Sequence, residues 1–289
     1  MLRAALLVAA AVRSACADEP IIIMRSAPKE APAEAAAAVE AVPAVEAAVT
    51  ATGEAVADLT PMVDAAPPSF EELWAEAGLE MPWVIEARRE LHRIPELLFD
   101  EQLTSGKIAA ILRSLNLNFT TGWAVNTKRN ELAAKGFVSG AGGTGVVAEL
   151  GTGGPPCVLL RADIDALPIH ELTDQPWKST IPGRMHACGH DGHAAMLLGA
   201  AAVLKRREHL IKGTIRLIWQ PAEEGGAGGK HMVEEGVLDL PPKTEAAFGF
   251  HQWPFLPLGS IGGRPGPMLA ATELFDIMVS GVGGHAAMS

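Results

Sequence analysis

Cys157-Val158-Leu159-Leu160-Arg161-Ala162-Asp163-Ile164-Asp165 is a short run of apolar β-formers that ends in two carboxylates. Runs of the same character occupy residues 145–150, 215–219 and 246–250. Each is too short for a globular helix and suits a strand buried on both faces. The segments between and before them have a different period. Residues 83–94 and 101–115 show apolar positions at helical spacing. A long helix is expected after His190, with Ala194, Leu197, Leu198, Ala201 and Leu204 along one side, and a shorter one around residues 229–235. Strands that alternate with helices predict an α/β fold, a mostly parallel sheet flanked by helices on both faces.

In such a sheet, ligands bind beyond the carboxyl ends of the strands. The first run is followed by Asp163 and Asp165. The run at 215–219 leads into Gln220-Pro221-Ala222-Glu223-Glu224-Gly225, and the run at 246–250 into His251. Between the first two lies His186-Ala187-Cys188-Gly189-His190-Asp191-Gly192-His193, directly before the long helix. Carboxylates, imidazoles and a thiol thus converge on one edge of the sheet.

Thiolate, imidazole and carboxylate together form a donor set suited to zinc or manganese. Cys188 and His190, two apart on a glycine turn, can reach one metal centre. Glu223 and Glu224 are adjacent on a turn and point different ways, so one can bind metal while the other stays free as a base, a division that metal-assisted hydrolysis needs. Taken singly, each residue has a plainer reading. A lone histidine or a Glu-Glu pair is more often surface or structural. Asp191 can cap the helix, the Asp163/Asp165 pair can do the same for loop amides, and Cys188 beside a histidine can be a thiol nucleophile. Taken jointly, the cluster favours metal. A closed structural zinc site lacks a second cysteine pair.

The chain has 289 residues, is 48% hydrophobic and carries a formal charge of -11. That composition supports a sizeable core and argues against nucleic acid or an anionic membrane as partner. Three cysteines make no disulfide framework: Cys16 falls in the leader and Cys157 reads as a small buried thiol. Residues 1–17 have the pattern of a secretory signal, with Arg3, an apolar run from Ala4 to Val12 and Ala15-Cys16-Ala17 as a cleavage site. A chloroplast or mitochondrial transit peptide is the alternative. Residues 18–69, rich in Ala, Pro and Glu, read as a flexible linker. Asn118-Phe119-Thr120 is a glycosylation acceptor pattern, and residues 122–143, glycine-rich with Lys128 and Arg129, read as a surface loop. No run is long enough to span a membrane.

Six blocks in order, Glu90–Leu97, Leu160–Ile169, Met185–His193, Trp219–Gly225, Phe248–His251 and Gly283–Ala287, resemble peptidase family M20, subfamily D, the auxin-conjugate hydrolases and N-acyl-amino-acid amidohydrolases. The resemblance implies that Cys188, His190, Glu224 and His251 bind two divalent metal ions (Mn2+ or Zn2+) and that Glu223 is the general base. It gives Asp163 and Asp165 a supporting role behind the ligands. It places His285 at the start of a lid and dimerisation domain, there to help stabilise the oxyanion, in a neighbouring subunit's site where the full-length form is a homodimer. It further implies a small-molecule N-acyl amino acid substrate, with a dipeptidase or general aminoacylase as the alternative. A partial catalytic domain is expected over residues 70–268 and the opening of the lid over 269–289, with its first strand at 273–280. The family's fifth ligand, a C-terminal histidine, has no counterpart here. The resemblance therefore leaves open an incomplete form or a non-catalytic metal-binding relative.

Overall fold

The computed structural model describes residues 67–134, 139–269, 277–278, 280–285 and 287. The leader, nearly all of the linker and most of the strand expected at 273–280 lie outside these residues.

The elements in chain order are α1 (Phe70–His92), α2 (Gln102–Ser114), β1 (Asn118–Val125), α3 (Arg129–Ala134), β2 (Gly142–Gly151), β3 (Cys157–Asp163), α4 (His190–Arg206), β4 (Thr214–Gln220), α5 (Gly228–Glu234) and β5 (Thr244–Gly249). Among the described residues, no helix is long and apolar enough to cross a membrane.

Helix α1 starts well before the expected residue 83 and runs through Pro82. Two effects offset the hydrogen bond that proline removes. Ser69 and Glu72 form a reciprocal capping box at its start, and Leu73, Ala77 and Val84 pack on Ala195 and Val203 of α4.

The five strands form one sheet in the order β1-β2-β4-β3-β5. The α/β class and the flanking helices are as the pattern predicted, but the sheet is mixed rather than mostly parallel. β2 runs antiparallel to both β1 and β4, while β3 is parallel to β4 and to β5. Strand β1 escapes the sequence pattern because it is an exposed edge in which only Ala124 is buried. Its register shifts around Trp123, next to Gly122 at φ +95°. The loop expected over 122–143 therefore holds the end of β1 and the short helix α3, with residues 135–138 outside the described set.

One face of the sheet buries Val146, Ala148, Leu160, Leu217 and Trp219 under α2 and α4. The other packs Val147, Leu159 and Ile218 against Leu98, Phe99, Met232 and Val237. Every residue of α4 from His190 to Leu204 is buried. The helix is lodged between α1 and the sheet, and its alanines allow that close approach.

The parallel register decides where chemistry can gather. Asp163 pairs with Gln220, and Arg161 pairs with Ile218 on one side and Gly249 on the other. The carboxyl ends of β3, β4 and β5 thus lie side by side, and α4 begins beside them.

Candidate metal centre

His190, the first residue of α4, is fully buried. Its Nδ1 faces the Asp165 carbonyl at 2.9 Å and the Asp165 Oδ1 at 3.2 Å. That bond turns Nε2 toward the mouth of the site. There Asp163 Oδ2 lies at 3.5 Å, and Glu223 Oε2 and Glu224 Oε1 at 3.8 Å each. Cys188 Sγ is 3.3 Å from His251 Nε2, and the His251 Nδ1 donates to the Gln252 carbonyl at 2.7 Å.

Ligand atoms of Cys188, His190 and His251 lie within 4.8 Å of one another, as do those of His190, Glu223 and Glu224. His190 Nε2 and Glu224 Oε1 are buried and have no hydrogen-bond partner. Such orphaned atoms are costly unless something satisfies them. With thiol, imidazole and carboxylate donors around one point, these residues fit a divalent transition metal.

The electrostatics agree. Burial opposes charge on the His190 ring, but its bond to Asp165, the nearby Cys188 and the Asp163 and Asp165 carboxylates outweigh it and push the pKa up to about 11. The surroundings of His190 therefore favour positive charge at this point, which a metal ion on Nε2 would supply in place of the proton. Glu224 is shifted up by burial and by the neighbouring Asp165 and Glu223 carboxylates. Burial also works against the Asp163 anion, yet the bond from His193 and the charges of Arg161 and His190 hold its carboxyl well below the usual range.

A third group, Asp163, His190 and His193, has similar spacing, but the atoms of Asp163 and His193 are already in use. His193 Nδ1 donates to Asp163 Oδ1 at 2.6 Å, and its Nε2 accepts the Gln252 amide at 2.9 Å. Arg161 holds the other Asp163 oxygen at 2.6 Å. His193 therefore ties the end of β3 to the segment that carries His251. It drew no role from the sequence, although its position three residues after His190 on the same helix was the available signal.

Asp191 does not cap α4. Its Oδ2 lies 2.7 Å from Arg88 Nε and 2.8 Å from His92 Nδ1, and His92 Nε2 reaches Glu171 at 3.3 Å. This buried network fastens the start of α4 to the end of α1. Gly189, at φ +106°, makes the turn that separates Cys188 from His190, and a Cβ there would stand 2.8 Å from Gln252 Oε1. His285 is exposed, accepts the Ala287 amide at 3.2 Å, and is in none of the convergent groups among the described residues.

Residues 159–284 match the model for peptidase family M20/M25/M40. The chain is 44% identical over 206 residues to the IAA-amino acid hydrolase ILR1-like 4 of Arabidopsis thaliana, a match spanning 71% of this chain and 42% of that protein. It is 41% identical over 204 residues to the N-acetylcysteine deacetylase of Bacillus subtilis, covering 70% and 48%. The crystal structure of the YxeP protein of Bacillus subtilis, described as a dinuclear metal binding peptidase from the M20 family, superposes with a TM-score of 0.51 at 39% identity, covering 64% of this chain and 45% of that one. The chain thus spans less than half the length of these relatives. Motif order, sheet topology and the matched residues together make residues 159–284 and their surroundings similar to peptidase family M20.

Proposed function

We propose that this chain carries the metal-binding part of an amidohydrolase that cleaves the amide bond of N-acyl amino acids. The observation that carries the reading is the convergence on His190 Nε2, where two glutamates from β4's end meet the thiol-imidazole pair of Cys188 and His251. Cys188, His190, Glu224 and His251 would hold two divalent ions, manganese or zinc. When bound, those ions supply Lewis-acid chemistry, polarising the scissile carbonyl and making water more acidic.

The protein's own residues do the rest. The Asp165 carboxylate meets the His190 Nδ1 at 3.2 Å through Oδ1 and holds the Glu224 amide at 2.9 Å through Oδ2, so both ligands are set by one side chain. Glu223 is the more open of the pair, with 42% of its side chain exposed against 20% for Glu224. It is therefore placed to take a proton from the attacking water and return it to the departing amine. The products are a free acid and an amino acid. The oxyanion role of His285 and dimerisation through a lid domain rest on the family resemblance. Entry into the secretory pathway rests on the leader pattern.

Amino acid release from a panel of N-acyl amino acids and dipeptides, with added manganese and in parallel with chelator, tests the reading. Chelator-sensitive release from the acyl substrates is expected. Release that chelator leaves untouched would overturn it, and preference for dipeptides would move the substrate class.

A further inference from the structure

Glu101 lies outside every group of ligand atoms among the described residues, yet it is fully buried and its carboxyl is bonded to its own loop, to β2 and to the turn after β4. Its Oε1 accepts the Phe99 amide and the Ala222 amide, each at 2.9 Å. Its Oε2 is hydrogen-bonded to the Thr144 hydroxyl at 2.7 Å. Phe99 and Ala222 both adopt the left-handed backbone region, at φ 61° and 53°. That region is strained for residues with a side chain and persists only where the surroundings enforce it.

Ala222 is the residue before Glu223. One residue beyond Glu223, the Glu224 amide is held by Asp165 Oδ2 at 2.9 Å. Two buried carboxylates therefore clamp the amides on either side of Glu223. The Ala222 carbonyl is also engaged, by the Gly228 amide at 3.0 Å.

We propose that Glu101 is a positioning residue for Glu223. By holding the Ala222 amide it maintains the left-handed turn that aims the base at the site. Burial pushes the Glu101 carboxyl up to about 8, so at neutral pH it is mostly the neutral acid. Glutamine copies that form, with one oxygen to accept both amides and an NH2 that donates to the Thr144 oxygen as the acid's O–H does. Methionine keeps the bulk and deletes the acceptor.

The test compares wild type, Glu101→Gln and Glu101→Met in the metal-loaded full chain, by amide hydrogen exchange over the turn holding Ala222 and by the split between kcat and KM. Glu101→Met should lose protection at the Ala222 amide. Its kcat should fall roughly 100-fold, the scale of a misplaced catalytic group, with KM and metal content unchanged. Glu101→Gln should restore both. A methionine variant that keeps kcat, or that keeps the Ala222 amide protected, overturns the proposal. If that variant does not fold, Glu101→Asp, one methylene short of the amide, is judged by the same two readouts. The kcat arm rests on the amidohydrolase reading and the exchange arm does not, so a wild type without turnover counts against that reading alone.

Discussion

Glu223 and Glu224 are chemically identical neighbours that the fold treats differently. Glu224 has an orphaned buried oxygen and a backbone amide held by Asp165, while Glu223 stands more open. Replacing Glu223 with Gln should lower kcat by about 100-fold or more, the usual contribution of a general base, with metal content unchanged by elemental analysis. Unaltered turnover would remove Glu223 as the base. Cys188→Ser should weaken metal binding, read as metal retained after dialysis, since a serine hydroxyl replaces a soft thiolate donor; equal retention would return Cys188 to the nucleophile reading. Glu101 predicts a pH effect of definite sign. Its carboxyl titrates near 8 in the folded protein against 4.5 in the open chain. The folded state thus binds more protons in that window, and stability falls as pH rises from about 4.5 to about 8. Glu101→Gln should flatten that slope in urea melts taken across the window, and an unchanged slope would place the titration elsewhere.

At the scale of elements, α4 links the core to the site. Its first turn carries His190 and His193, and its remaining buried length packs on α1 and the sheet. Leu198 is fully buried at its middle. Leu198→Ala should cost about 2–5 kcal/mol in denaturant unfolding, and a loss below 1 kcal/mol would show that the helix is less tightly lodged than its burial indicates. This element was legible in the sequence because a helix beginning at a glycine turn and running through Ala194, Leu197, Leu198 and Ala201 has an unmistakable period. So were β3, β4 and β5, as apolar runs ending in chemistry. Strand β1 was not, since an edge strand that buries only Ala124 leaves no alternating pattern of apolar and polar residues. The antiparallel turn of β2 was hidden for a different reason, because a run buried on both faces carries no mark of its direction. Within the site, the residue types were readable and their bonds were not. Asp163 and Asp165 look equivalent on paper, but one holds His193 and the other holds His190 and the Glu224 amide. Glu101 gave no signal, because what gives it a role is its bond to the backbone amide of Ala222, a residue far away in sequence.

At the scale of the whole molecule, the donors come from segments far apart in sequence, so a bound ion bridges parts of the chain that unfolding separates. Manganese at 100 times its dissociation constant should therefore stabilise the folded chain by about 2.7 kcal/mol per site. The measurement is a thermal or urea midpoint with and without metal. No shift in a chain shown to bind the ion would mean that the unfolded state binds it equally well.

The parallel register of β4, β3 and β5 also sets an order in time. Asp163 cannot meet Gln220 until the chain between Asp163 and Thr214 has closed on itself, and His251 arrives only after a second closure of the same kind. Such non-local pairings are slow, because chain entropy is lost before contacts repay it. Helices α1, α2 and α4 need no such closure. Refolding followed by circular dichroism should therefore run ahead of refolding followed by metal capture, which makes the ion a clock for the last step of assembly.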